Sequence, residues 1–517
     1  VSEPAYFETG KMEEPWVGKW ITTEKEDTFH PLFVKSFEAK KGLASARLYI
    51  CGLGLFTAEL NGKKVGDEVL TPYYSNYHDE EQYITFDITE DVKEQNELRV
   101  SLGNGWFKGK FGLNNQSNNF GDEFKLIAEL RLVYEDGEVQ VIGTDETWEY
   151  IGSDVEDDGI YDGEIINHLL WKEKENLPKK AVLTEAEGKL VARYSLPVME
   201  MEDMPVKEVI YTPLGETVLD FGQNFAGYVT FRNHLLEGTR IVFDHGEILQ
   251  DGNFYNENYR SAKSQFVYVS DGRDELVRPS FTYFGFRYVR VTGWPGEAKE
   301  EDFTGKALYS KMDRTGYIET GHQGVNRLFL NALWGQKSNF IDFPTDCPQR
   351  NERMGWTGDA QAFSRTATYN ADVENFFRQW MVALRDDQAD NGGIGSTVPT
   401  YTTSTDVEFA DGTTWAAAVC MVPWQLYTQY GDTQIIRENF DTMKAWLDGM
   451  DSFDFEANGK TYTGLSGKTT GLADWLSIDG NTTSDIVNNA IYIYMMEVTA
   501  IMADEIGETE YAQTLRD

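Results

Sequence analysis

A chain of 517 residues with 41% hydrophobic and 14% aromatic residues has the apolar content of a folded protein, and at usual domain sizes it divides into roughly three to four domains. Its 46 Lys and Arg against 86 Asp and Glu leave a formal charge of -40, which argues against nucleic acid and anionic lipid as partners, since phosphates would be repelled. The acids are dispersed as on a solvated surface, and no apolar run approaches the ~20 residues that cross a bilayer, so no membrane partner is expected. Cys51, Cys347 and Cys420 have no CxxC spacing. Neither a disulfide framework nor a structural zinc site is expected from them, and a reducing, cytoplasmic setting fits best.

The first three hundred residues read as strands. Glu14 to Ile21 and Leu32 to Phe37 are followed by Ala46 to Leu60, which runs into Asn61-Gly62, the preferred pair for a tight hairpin. Ile84, Phe86 and Ile88 alternate with Thr85 and Asp87, placing three apolar side chains on one sheet face. Asp136-Gly137 marks a second hairpin. These signals predict a β-sandwich over residues 1–200. A fresh set follows Pro205: Thr217 to Phe221, Gly227 to Phe231, Arg240 to Phe243, Gln265 to Val269 and Phe286 to Val291, with turns at Asp251-Gly252 and Asp271-Gly272. A second sandwich over 201–300 is the economical reading. The aromatics between Phe281 and Tyr288 could form a carbohydrate platform, but at strand spacing a core role is favoured. His245, between Asp244 and Glu247, reads as a satisfied hydrogen bond rather than a metal ligand.

Residues 301–317 read as a linker, and near 318 the period changes. Val325, Leu328, Phe329, Ala332 and Leu333 fall at i, i+3, i+4, i+7 and i+8, the pattern of one buried helix face. Val373, Phe376, Phe377, Trp380, Met381 and Leu384 repeat it. Trp415 to Tyr430, Ile435 to Met450 and Ile486 to Glu505 are further helices, the first expected to kink or break at Pro423. Residues 318–517 are therefore expected to form an all-helical domain.

Between the first two helix patterns lies Asp346-Cys-Pro-Gln-Arg-Asn-Glu-Arg-Met-Gly-Trp-Thr-Gly-Asp359, a polar loop on a helical scaffold, where catalytic groups tend to be displayed. Cleaving an acetal needs a protonated carboxylic acid near the leaving oxygen and a second carboxylate that activates water or attacks carbon. Glu352 is the candidate acid: Met354 and Trp356 would desolvate it and favour its protonated form, while Arg350 and Arg353 would oppose this if they pointed inward. On this loop alone, a structural ion pair for Glu352 fits as well. Asp346 and Asp359 are suited to accept hydrogen bonds from vicinal sugar hydroxyls. Each also fits a plainer role, Asp346 as a turn former and Asp359 at the positive end of a helix. Trp356, Trp415 and Trp475 could stack on a pyranose or fill the core. It is the cluster that favours a sugar-cleaving site.

The loop resembles the signature segment of the α-L-rhamnosidases of glycoside hydrolase family 78. Asp313-Arg-Thr-Gly-Tyr-Ile-Glu-Thr, Leu219-Asp-Phe-Gly-Gln-Asn-Phe-Ala-Gly-Tyr228 and Gly103-Asn-Gly-Trp-Phe-Lys-Gly109 resemble the family's linker and two β-domains; Val422-Pro-Trp424, Met443-Lys-Ala-Trp446 and Ala473-Asp-Trp475 resemble later helical segments. The resemblance implies two N-terminal β-sandwich domains, the first jelly-roll-like, and an (α/α)6 barrel. It also implies an inverting glycosidase acting on rhamnose-containing glycosides or oligosaccharides, without cofactor or metal. Glu352 would be the general acid, Asp346, Arg350, Trp356 and Asp359 would hold the rhamnose, and Trp415 and Trp475 would line the pocket. Two departures bear on the subsite: Asn351 stands where the family commonly has Asp, and Trp415-Ala-Ala-Ala lacks an Asp often found two residues after that Trp. The helix patterns fill about half of such a barrel and the family's catalytic base falls in its later part, so the polypeptide is expected to continue beyond Asp517. Two alternatives stand beside this reading: a helical-barrel hydrolase for another deoxy or pentose sugar, and a non-catalytic carbohydrate-binding protein.

Overall fold

The computed structural model describes residues 7–170, 177–401, 413–450, 455–457, 460–462, 472–480 and 482–517. The chain forms two compact units, one of Val1–Tyr309 with Gln349–Asn351, the other of Ser310–Pro348 with Glu352–Asp517.

The first unit is built from three large sheets. Alternation puts Ile50 between Ile84 and Ala128 on neighbouring strands, and Leu48 between Phe86 and Leu130, so apolar rows cross a seven-stranded sheet. Leu98, Val100 and Leu102 form a matching row in a six-stranded sheet, and all three are fully buried. The sheets meet closely enough that a Cβ on Gly52 of the first would lie 3.0 Å from Leu102 of the second. Asn61-Gly62 makes the expected hairpin turn: both residues are left-handed, with φ of 57° and 78°, the conformation that Asn and Gly tolerate best.

The third sheet has ten strands. Thr217–Asn233 is its long member: its first part pairs with Phe284–Thr292, and after a register shift between Asp220 and Phe225 its second part also pairs with Phe303–Ser310. Two expectations are corrected here. The stretch expected as a linker contains the strand Phe303–Ser310, whose Phe303, Gly305 and Ala307 alternate inward. Val155–Gly159 and Gly163–Asn167, assigned by order to the first sandwich, join this sheet instead through parallel pairing of Gly163–Asn167 with Gln265–Val269. Phe281, Tyr283, Phe284 and Phe286 are buried, as the core reading requires. His245 is hydrogen-bonded at one nitrogen, its Nδ1 lying 2.9 Å from the Ser264 carbonyl, and its ring is stacked on Phe284.

The second unit is helical: α1 (Gln323–Asn339), α2 (Thr357–Asn370), α3 (Glu374–Asp386), α4 (Thr413–Ala416), α5 (Ala418–Tyr430), α6 (Gln434–Met450), α7 (Ser484–Ile506) and α8 (Thr509–Arg516). The strongly apolar α5 packs against α2, α3, α6 and α7. In α3 the expected stripe is wholly inside: Val373, Phe376, Phe377, Met381 and Leu384 are 0% exposed. Two readings fail in their details. The stripe of α1 is not covered, since Val325 is 42% and Leu328 69% exposed. The segment from Trp415 to Tyr430 breaks at Ala417 rather than at Pro423, which sits buried inside α5. A third reading is qualified by α7, which by length and composition alone is apolar enough to cross a membrane. It packs instead on α4, α5, α6 and α8, with Met495, Val498 and Met502 buried and the Tyr492 hydroxyl bonded to the Leu447 carbonyl at 3.1 Å.

Candidate active site

The polar loop is held by backbone geometry at both ends. After α1 the chain makes a short hairpin, Phe340–Ile341 with Phe343–Pro344, turning at the buried, left-handed Asp342 (φ 69°), whose carboxylate accepts from the Gln379 amide at 2.9 Å. Asp346 then closes the loop twice: its N–H donates to the Met354 carbonyl and its Oδ1 accepts from the Met354 N–H, both at 3.1 Å. Between these points Arg353, fully buried, takes φ of 49°, a conformation costly for a non-glycine residue and tolerated where its surroundings hold it. Gly355 follows because nothing larger fits: a Cβ there would lie 2.0 Å from the Val398 carbonyl. The Trp356 N–H bonds the Met354 carbonyl at 2.9 Å and the Thr357 N–H bonds Ser396 at 2.8 Å, which starts α2.

Glu352 is 9% exposed, and its Oε1 accepts the Trp356 indole N–H at 3.1 Å. A carboxylate oxygen of Glu352, one of Asp346 and the Cys347 thiol lie within 4.8 Å of one another. These three groups are spaced to ligate a cation. Asp346 accepts the Met354 N–H and Glu352 the Trp356 indole N–H, each through one carboxylate oxygen. In the first unit, His168, Asp271 and Glu275 also approach within 4.8 Å, but Arg273 binds both His168 and Asp271 and supplies the positive charge there.

A cavity of about 390 Å³ opens beside this cluster, within the range of small-ligand sites, and Asp346 and Asp359 are in its wall with Gln336, Asn339, Phe340 and Phe363. Asp359 is exposed and Asp346 half-buried. Gln336, on α1, is 2% exposed, and among the described residues its Nε2 has no hydrogen-bond partner, although its Oε1 accepts from Asn370 at 2.9 Å. Reading by motif passed over Gln336. The available signal was a polar side chain three residues beyond Leu333 on an otherwise apolar stripe.

Trp415 is buried and lies against Gly358, where any Cβ would come within 2.4 Å of its indole, next to Asp359. Trp475, 61% exposed, meets Trp415 edge to face at 6.4 Å. The second unit thus assembles Asp346, Glu352, Trp356, Asp359, Trp415 and Trp475 around one end of α2. Arg350 falls in the tripeptide grouped with the first unit, where Gln349 donates to Glu247 at 3.0 Å and Asn351 to Asn115 at 3.2 Å.

Three family models match consecutive parts of the chain. Residues 41–202 match the alpha-L-rhamnosidase N-terminal domain, 210–309 the bacterial alpha-L-rhamnosidase concanavalin-like domain, and 313–517 the bacterial alpha-L-rhamnosidase 6 hairpin glycosidase domain. An alpha-L-rhamnosidase of Streptomyces avermitilis is 32% identical over 90% of this chain and 45% of its own length. Among solved structures, a native α-L-rhamnosidase from Aspergillus terreus superposes with a TM-score of 0.89 at 30% identity, covering 97% of this chain and 60% of that one. The Streptomyces avermitilis α-L-rhamnosidase complexed with L-rhamnose gives a TM-score of 0.87 at 30% identity, covering 94% and 48%. The chain spans about half the length of the curated relatives it matches, 45% and 57% for two of them.

Proposed function

Because this chain belongs to the bacterial α-L-rhamnosidases, we propose that it is a glycoside hydrolase of family 78 that removes terminal non-reducing α-L-rhamnose from rhamnosides on an (α/α)6 barrel, by inversion, with Glu352 as general acid. The carrying observation is the carboxyl cluster: Glu352 is largely shielded from water and held by an indole N–H, beside Asp346, which itself lines a cavity of sugar size. In this reading Asp346 and Asp359 accept hydrogen bonds from vicinal hydroxyls, and Arg350 adds a donor. Trp356, Trp415 and Trp475 offer ring faces to the C–H surface and methyl corner of the sugar. Glu352 protonates the departing oxygen while a second carboxylate, roughly 6.5–9.5 Å away across the ring, draws a proton from the attacking water. Neither step requires a cofactor or metal.

The test is hydrolysis of aryl α-L-rhamnoside beside aryl glycosides of other deoxy sugars and of pentoses, with the first-formed anomer read by NMR. Release from the rhamnoside with β-L-rhamnose formed first supports the reading. Release from another sugar alone points to a different hydrolase, and rhamnose binding without turnover points to a binding protein.

A further inference from the structure

We infer that Trp356 is a positioning residue for the proton donor: its indole N–H orients the Glu352 carboxyl and takes up charge as the proton leaves. The inference rests on Glu352 being the general acid. Its observation is the 3.1 Å contact from Trp356 Nε1 to Glu352 Oε1, made by a carboxyl that is 9% exposed.

The contact is held in place by the loop. Arg353 in the left-handed region reverses the chain between the two residues, and Gly355 lets it pass against the Val398 carbonyl. The Trp356 backbone is tied to Met354, and the next residue to Ser396. Asp346 clamps Met354 from the other side. The indole is thus fixed through the main chain before and after it.

An indole N–H donates and cannot accept, so Trp356 has no part in carrying the proton. Its effect is electrostatic. In the step, the Glu352 O–H bond breaks and a new O–H bond forms on the glycosidic oxygen, which leaves with the C–O electron pair as an alcohol. The water oxygen bonds the anomeric carbon, and its surplus proton passes to the second carboxylate. Glu352 ends as an anion. A hydrogen bond to a carboxylate is roughly twice as strong as one to a neutral acceptor, so the Trp356 contact strengthens as the proton moves. An interaction stronger in the transition state than in the ground state accelerates the chemistry, whereas stacking on the sugar contributes to both states alike. The ring has a separate edge and face, so one side chain can serve the acid with its N–H and the sugar with its π surface.

The experiment is Trp356→Phe in the full-length protein, which keeps an aromatic face and deletes the N–H, assayed on an alkyl α-L-rhamnoside and on dinitrophenyl α-L-rhamnoside. Dinitrophenolate departs without protonation, so only the alkyl substrate needs the acid. The expected result is a fall in kcat on the alkyl substrate that exceeds the fall on the dinitrophenyl one by ~10–100-fold. Equal losses on both, or a loss confined to KM, would overturn the inference and leave Trp356 as a sugar contact only. A wild-type protein inactive on both substrates would instead count against the rhamnosidase reading. If the variant does not fold, the indole N–H resonance of Trp356 in the unmutated protein decides: it should shift as Glu352 ionises, and a resonance insensitive to that ionisation would refute the contact.

Discussion

Helices α1 and α3 carry the same apolar spacing and meet opposite surroundings. In α3 the stripe from Phe376 to Leu384 is sealed against α5 and α6, and the Trp380 indole N–H reaches the Val398 carbonyl at 2.9 Å. In α1 the stripe from Val325 to Leu333 lies largely open, and only Leu333, Gln336 and Ser338 are buried. Periodicity reports that a helix has an apolar side, because the 3.6-residue turn aligns those positions. It carries no information about what covers that side, which depends on elements distant in sequence.

The difference should appear as a graded set of energies. The largest belongs to Trp380→Ala, which empties a buried site and orphans a carbonyl; unfolding of the helical unit in urea should show a loss of ~3–5 kcal/mol. An ionisable group extends the same contrast to the sheet unit. Glu164 is 1% exposed, and burial pushes its carboxyl up to about 8 against the lowering effect of the Phe281 and Ser280 N–H groups. The folded state therefore keeps a proton that the unfolded chain releases near its ordinary value of 4.5. Between that value and about 8 the folded state binds more protons, so stability falls as pH rises through the window. The total loss is on the order of a few kcal/mol. Glu164→Gln should flatten that slope, seen as melting temperatures of variant and wild type that diverge between the two ends of the window.

Smaller effects are expected where α1 is involved. Asn370→Ala removes the 2.9 Å bond to Gln336 that ties α1 to α2, and should cost about 1 kcal/mol while speeding amide exchange in α1. Leu328→Ser on the open stripe should change the stability of this chain by no more than ~0.5 kcal/mol. A loss comparable to that of Trp380→Ala would break the comparison, because it would mean the stripe is covered in solution.

Much of the site was legible because its signals are local. The Asn61-Gly62 turn, the α3 stripe and the fourteen-residue loop each declare themselves within a few turns of chain, and the loop's residue types already named Glu352, Asp346 and Asp359. What escaped is non-local. Gly163–Asn167 pairs in parallel with a strand about one hundred residues later, a connection no hairpin signal announces. Phe303–Ser310 alternates like any strand but sits directly before the change of period near residue 318, where a linker is the local expectation. Gln336 reads as a blemish on an apolar stripe until the cavity shows it in the wall. The Trp356 indole was read for its face, and the loop's left-handed turn at Arg353 is what brings its N–H edge to Glu352.

The most direct test of the central claim is Glu352→Gln in the full-length protein, measured for release of aryl alcohol from an aryl α-L-rhamnoside and for rhamnose binding. The amide preserves shape and cannot supply the proton, so turnover should fall by ~10²–10⁴-fold while binding persists. Turnover that survives the substitution intact would remove Glu352 from the chemistry and the account with it.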